Sequence, residues 1–474
     1  LASYDKIYWA SQPAGVAAKE VFRRIDSYYQ WIRLTGTFNL WLKNLREYYA
    51  GFSTGGDLQL DGEQGEILRS KENHYHNIGQ NIIVATTGSR PNFEPKAANS
   101  DHASMSQTII AKGLLDAAMR DKDLEGKGVQ AVTVALLNAE AYTTITWDPK
   151  QGREYAMNPD TRSVERTGDI RIQVYMPVDV ARDHTKITPD GHKWYAFRDW
   201  FNRYDLAKSR PEIEDKILGL PGRWDEAVKR PTFSRDWRGS ILMDSDDCAV
   251  WSFFHDKTPA MPEGRLLVLG SEDVVLFDGP LPYDALETCV HRMAPEEMHG
   301  TQLGYTSTYD LLVPQREINA ADSTITTSIG NVGTGVIWAP PGGNITTEDI
   351  AGGPKLIRSA QKPEPVTLLD IAALKTIDDY KRGKVTALEA ISGVNSARRG
   401  TLVNEKAMSG AALALLDAKM IEFNKGLERG YIRWLESVAT AMVKLYQQYA
   451  KLPQVAMIAG KANRSFMKEF TGDD

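Results

Sequence analysis

From Leu413 through Leu416, Met420, Phe423, Leu427, Tyr431, Trp434, Val438, Met442 and Leu445 to Tyr449, apolar side chains recur at three- and four-residue steps. That period predicts a helix over residues 409–450, with Ser409 as its N-cap and Pro453 beyond its end. A stripe this long cannot be buried within the helix that carries it, so the chain must supply a large apolar surface against it. Gly426 and Gly430 fall inside the stripe, each costing about 1 kcal/mol against alanine in a helix interior, and they predict a bend.

The N-terminal part reads as helical. Val21, Ile25, Tyr28, Trp31 and Ile32, then Leu40, Leu42, Leu45 and Tyr49, mark two helices split at Gly36, and further helices are expected around Tyr75–Val84 and Ser106–Arg120. From Ala139 the period drops to two. YTTITWDPKQGREYAM alternates about a turn at Asp148–Gly152, and Ile170, Ile172, Val174 and Met176 fall on one side of a strand that Pro177 closes. Cys248–Phe254, and RLLVL joined to VVLF through Gly270–Asp273, carry this β-rich region to about residue 290. Helix returns over Thr306–Gly330, where Leu311, Ile318 and Ile325 form a seam supported by Ala321 and Ile329, and Pro314 must take a first turn or a kink. Its other face is polar and almost uncharged. After a Gly/Pro-rich insert, Ile371, Leu374, Ile377, Lys381, Val385 and Leu388 mark a helix over Leu369–Ile391. The fold class is therefore mainly α with α+β regions.

At 474 residues the chain exceeds what one hydrophobic core serves, so several structural regions are expected. No apolar run approaches the roughly 18 residues of a membrane span. A net charge of -6 excludes a globally basic nucleic-acid binder but leaves room for a local basic patch. Cys248 and Cys289 lack metal-ligand spacing and read as buried thiols of a reducing compartment. Beginning at Leu1 without a recognisable signal peptide, the chain reads as a trimmed form of a cytoplasmically made protein.

Motifs for chemistry are weak. GNVGTG at Gly330–Gly335 and GKG at Gly126–Gly128 lack the order and ending of a phosphate loop. Glu296 and His299 form a lone ExxH without the second copy that a di-metal bundle needs, and His74 and His76 have no nameable third ligand. DSDD at Asp244–Asp247 misses the calcium-loop pattern. No nucleophile elbow or zinc-protease motif occurs, so neither a catalytic set, a metal site nor a cofactor is expected. A helical-bundle metal-dependent enzyme and a nucleic-acid-binding module remain the competing readings.

The order of these parts resembles the portal proteins of tailed bacteriophages, the head-to-tail connectors. HGTQLGYTSTYDLLVPQREINAADSTITT, with Gln315, Asn319 and Ser323 in step, is similar to the family's first stem helix and its approach. WYAFRDWFNRYDLAK and GLPGRWDEAVKR resemble segments that precede it. ISGVNSARRGTLVNEKAMSGAAL, followed by a long helix, resembles the family's tunnel loop and kinked wing helix. The resemblance implies a wing over residues 1–305, stem helices over 306–330 and 369–391, and a clip over 331–368. It further implies a tunnel loop over 392–408, a kinked wing helix over 409–450 and the start of a crown over 451–474. It also implies a homo-dodecameric ring at one capsid vertex of the virion, assembled in the host bacterial cytoplasm, through which double-stranded DNA is packaged and ejected. The implied partners are the large terminase, head-tail adaptors and the major capsid or scaffolding protein, with no membrane and no enzymatic activity. By position, Arg398, Arg399, Asn404 and Lys406 would face the DNA channel, and Trp338, Pro340, Pro341 and Asn344 would meet adaptors. Few loop cations on an acidic chain suit sliding DNA, because each phosphate contact adds counterion release and holds the duplex.

Overall fold

The structure, a computed structural model, describes residues 7–49, 70–97, 99–100, 102–157, 164–188, 191–233, 245–332, 336–342, 355–360, 371–394, 424–451, 454–459 and 465–470. It is mixed α and β. Helices α1 (Ala14–Leu34), α2 (Thr37–Tyr48), α3 (His74–Thr87), α4 (His102–Asp121) and α5 (Leu124–Asn138) come first. Strands β1 (Ala141–Asp148), β2 (Glu154–Met157), β3 (Val164–Arg166), β4 (Asp169–Tyr175), β5 (Val180–Arg182) and β6 (Trp194–Asn202) follow. Next are the short helices α6 (Arg203–Ser209), α7 (Glu214–Leu218) and α8 (Arg223–Lys229), then strands β7 (Asp247–His255), β8 (Arg265–Ser271) and β9 (Val274–Gly279). A short α9 (Leu286–Cys289) leads to β10 (Val290–Met293), β11 (Glu296–Glu297) and β12 (Gly304–Tyr305). The chain continues with α10 (Leu312–Val332), β13 (Val336–Ala339), β14 (Lys355–Arg358), α11 (Ile371–Ser392), α12 (Lys425–Tyr449), β15 (Gln454–Ala459) and β16 (Ser465–Phe470).

Packing divides the chain into two units that are discontinuous in sequence. The first comprises Leu1–Lys43, Ile83–Thr306 and Asn424–Asp474, and the second Asn44–Ile82 and Ser307–Phe423. Residues 44–49 and 70–82 thus group with the helices that follow Thr306.

In the first unit an antiparallel sheet runs in the order β5-β6-β7-β8-β9. Helix α1 buries Val21, Phe22, Ile25, Tyr28, Tyr29 and Ile32 at helical spacing and packs against β5, β8 and β9. Ala207, Ile217 and Leu220 join Cys248, Val250, Val274 and Leu276 in a second apolar layer. Burying each large side chain contributes about 1.5–3 kcal/mol, so two such layers fix the sheet. Gly36 takes φ +74° between α1 and α2, a left-handed turn that a side chain resists. Both cysteines are buried and free.

A second antiparallel sheet runs β10-β1-β4. β1 pairs with β4 over Tyr142–Asp148, while β2 pairs with β3, so the alternating run about Asp148–Gly152 is not one hairpin. Ile170 and Ile172 are buried, but Met176 is 38% exposed and Tyr175 is buried instead. The reason is that Tyr175 packs on Phe197 and its hydroxyl donates to Asp199, so at the strand's end the opposite face is the covered one and the period-two pattern fails there.

Helix α12 lies on this sheet, burying Leu427, Tyr431, Trp434, Leu435, Val438, Met442 and Leu445. The Trp434 indole N–H donates to Thr143 Oγ1 at 2.9 Å. Gly426 and Gly430 have a packing role: a Cβ on them would stand 2.7 Å from the carbonyl oxygens of Pro295 and Ala294. They let the helix approach a neighbouring backbone closely. Residues 409–423 of the expected helix lie outside the described residues.

A sealed ionic cluster joins these elements. Glu140, 1% exposed, accepts from Arg182 at 2.7 Å, Arg292 at 2.9 Å and the Gly304 amide at 2.7 Å. The Arg182 guanidinium lies over the Tyr28 and Tyr142 rings. Burial disfavours the Glu140 carboxylate, yet Arg182 and Arg292 outweigh it and hold its carboxyl below the usual glutamate range.

In the second unit α10 starts at Leu312, after a 3-10 turn over Ser307–Leu311, with Pro314 in its first turn where no intrahelical donor is lost. α11 packs beside it. The seam is narrow: Leu311, Ile318, Ala321 and Leu388 are buried, whereas Ile329 is 53% exposed. β13 and β14 form a two-stranded parallel sheet between these helices in the chain.

Candidate functional site

The second unit carries its polar chemistry on α10. Gln315, Asn319 and Ser323 recur every four residues and so share one helix face. Together they grip the backbone of the run leading into α3. The Ser70 N–H donates to Ser323 Oγ at 3.0 Å, and the Glu72 N–H to Asn319 Oδ1 at 3.3 Å. Gln315 donates through Nε2 to the Glu72 carbonyl at 2.6 Å and accepts from the Tyr75 N–H at 2.9 Å. Deeper in the unit, the buried Tyr75 hydroxyl donates to Asn44 Oδ1 at 2.5 Å, and Asn44 donates to Thr308 Oγ1 at 3.1 Å. Gln315, at 1% exposure, lies inside the unit, where its amide serves the Glu72 carbonyl and the Tyr75 N–H.

The α10–α11 pair is tied by charge. Lys381 bonds Asp322 at 2.7 Å and Glu72 at 2.6 Å, while Lys384 bonds Glu317 at 2.7 Å. The later residue on α11 meets the earlier one on α10, so the helices run antiparallel. Burial works against ionised Asp322, but hydrogen bonds from Lys381 and Ser70 prevail and keep its carboxyl below the usual aspartate range. Burial likewise opposes the Lys381 ammonium, and its bonds to Asp322 and Glu72 raise its pKa. Val313, Arg316, Ala320 and Thr324 are exposed on α10, and Lys375, Thr376, Asp379, Tyr380, Arg382, Gly383, Thr386 and Ala390 on α11. Among the described residues, the exposed positions of the pair carry three cations, Arg316, Lys375 and Arg382, and one anion, Asp379.

Of the residues assigned to adaptor contact, Trp338 sits on β13, half-buried, with its indole N–H donating to the Ser359 carbonyl at 3.2 Å. Pro340 and Pro341 follow it, both exposed, so these three residues lie together at the end of the strand. Asn344 lies outside the described residues, as do Arg398, Arg399, Asn404 and Lys406 of the expected tunnel loop.

The weak metal motifs find ordinary placements. His74 pairs with Glu72 at 3.0 Å, and the His76 ring packs on Tyr48 at 4.6 Å between centroids. Glu296 is on the two-residue strand β11 and His299 in the turn after it, so the ExxH does not form one helix face. Among the described residues no group of three or more His, Cys, Asp or Glu is placed to hold a metal, and no helix is long and apolar enough to cross a membrane. What the α10 face can do chemically is read an extended backbone, since an amide side chain offers a donor and an acceptor side by side.

Glu72, Asn44 and Tyr75 are the members of this network that the sequence does not announce. KENHYHN carries no period that would single out Glu72, and its only signal is an acidic residue before a helix start. No known protein family matches the chain, and no curated protein does.

Proposed function

We propose that the chain is the subunit of a tailed-bacteriophage portal, a dodecameric ring at one capsid vertex that serves as the channel for genome packaging and ejection. The observation that carries this reading is the antiparallel pair α10–α11, which brackets a small Gly/Pro-rich β insert in the chain and buries only a thin seam. Val313, Ile329 and Tyr380 on the pair remain 64%, 53% and 49% exposed. Side-by-side packing of copies around an axis covers such surfaces, and a head-to-tail interface that closes on itself makes a ring.

In this reading α10 and α11 are the stem, and the β13–β14 insert with Trp338, Pro340 and Pro341 is the clip that docks the large terminase and head-tail adaptors. The exposed stripe Val313, Arg316, Ala320 and Thr324 of α10 carries a single cation, which suits hydrated DNA that must slide rather than bind. Arg398, Arg399, Asn404 and Lys406 form a collar at the narrowest part of the channel and touch phosphates without reading bases.

Negative-stain imaging of the purified protein tests the ring: closed rings with a central channel are expected, and isolated particles of single-chain size contradict it. For the collar, Arg398→Ala combined with Arg399→Ala leaves assembly intact and lowers the yield of packaged DNA. An unchanged yield removes the assigned role.

A further inference from the structure

We infer that Ser70–Asn73 is a displaceable strap, a polar latch closed on α10 and tied through Glu72 to Lys381 of α11, which opens as ionic strength rises while the helices beneath it stay folded. This inference stands independently of the portal reading.

Three observations combine. First, the fastenings are polar: Ser70 bonds Ser323 through its N–H and Asp322 through its hydroxyl, Glu72 bonds Asn319 and Gln315 through its backbone, and its carboxylate bonds Lys381 at 2.6 Å. Second, the strap's own side chains are polar, with Lys71 and Glu72 exposed, and on its C-terminal side the apolar anchor is the fully buried Tyr75. Lifting Ser70–Asn73 therefore draws no apolar side chain of its own into water. Third, Lys381 is shared between Glu72 of the strap and Asp322 of α10. When Glu72 leaves, Lys381 keeps Asp322, so the α10–α11 tie survives opening.

Opening uncovers the Gln315, Asn319 and Ser323 row, whose side chains then present backbone-reading donors and acceptors to solvent. The Glu72–Lys381 pair lies at a partly exposed edge, with side chains 45% and 18% accessible, where mobile ions screen it.

Amide hydrogen exchange on the unmodified protein tests the latch. On going from about 0.05 M to about 1 M NaCl, over which the screening length falls to about 3 Å, the amides of Ser70 and Glu72 should exchange at least tenfold faster. Those of Ile318–Ser323 within α10 should hold their rates. Glu72→Gln should produce the open pattern already at low salt, and Asn319→Ala with Ser323→Ala should do so even though both charges of the ion pair are kept. Strap amides that are equally protected at both salt concentrations overturn the inference. So does exchange that rises together across the strap and α10, because the segment would then open only with its whole unit.

Discussion

Two polar networks hold the two units, and they are built on opposite terms. In the first unit Glu140, Arg182 and Arg292 meet in a sealed interior, with aromatic rings over the guanidinium of Arg182. In the second, neutral side chains of α10 grip a backbone near the surface, helped by one shared lysine. Removing a member of a sealed charged network leaves an uncompensated charge in a low-dielectric interior, whereas a partly exposed neutral contact gives way to water. The first network fixes one arrangement, and the second permits two.

The contrast predicts a descending series of effects. Glu140→Ala should leave the fully buried Arg182 without its carboxylate, while Arg292 keeps Glu297, and cost about 3–5 kcal/mol in chemical denaturation of the first unit; a loss below about 1 kcal/mol would mean that the cluster is not sealed. Acid should act next. Burial holds His192 down to about 3 and His291 down to about 4, both below the ordinary histidine value. Each is neutral in the folded state and takes up a proton on unfolding, so the stability it leaves intact above its unfolded pKa of about 6.5 is lost as pH falls toward its folded value. That amounts to at most about 3 kcal/mol each between pH values of about 7 and 4. Denaturation midpoints measured across that window should fall steeply in wild type and less steeply in His291→Phe.

Gly430→Ala comes third. Its Cβ would press on the Ala294 carbonyl oxygen, and forcing α12 off the sheet should cost about 1–3 kcal/mol. A neutral result in thermal melts would show that helix and strand have room to part. Smallest is Asn319→Ala in the second unit, expected to cost about 0.5–1.5 kcal/mol. If it instead matches the Glu140 variant, the comparison between the networks fails.

Legibility in the sequence followed periodicity. α1, α2 and the described part of α12 announce themselves because each has one apolar and one polar face. α5 does not. Ala131, Val132, Val134, Ala135, Leu136 and Leu137 are all buried, so its packed half carries no polar stripe, and its GKG start draws attention to phosphate chemistry instead. Lys381 was readable as part of the inner rhythm of α11, and the four-residue step of Gln315, Asn319 and Ser323 as a shared face. Their partners were not, since Ser70 and Glu72 are distant in sequence and held through backbone groups, which every residue possesses. For Gly426 and Gly430 the sequence indicates a helix irregularity, but only the fold supplies the backbone that approaches them.

Native mass measurement of the purified chain tests the central claim most directly. A discrete assembly near twelve times the 52.8 kDa of one chain is the expected result, and a species that stays at the mass of one chain as concentration is raised contradicts the portal reading.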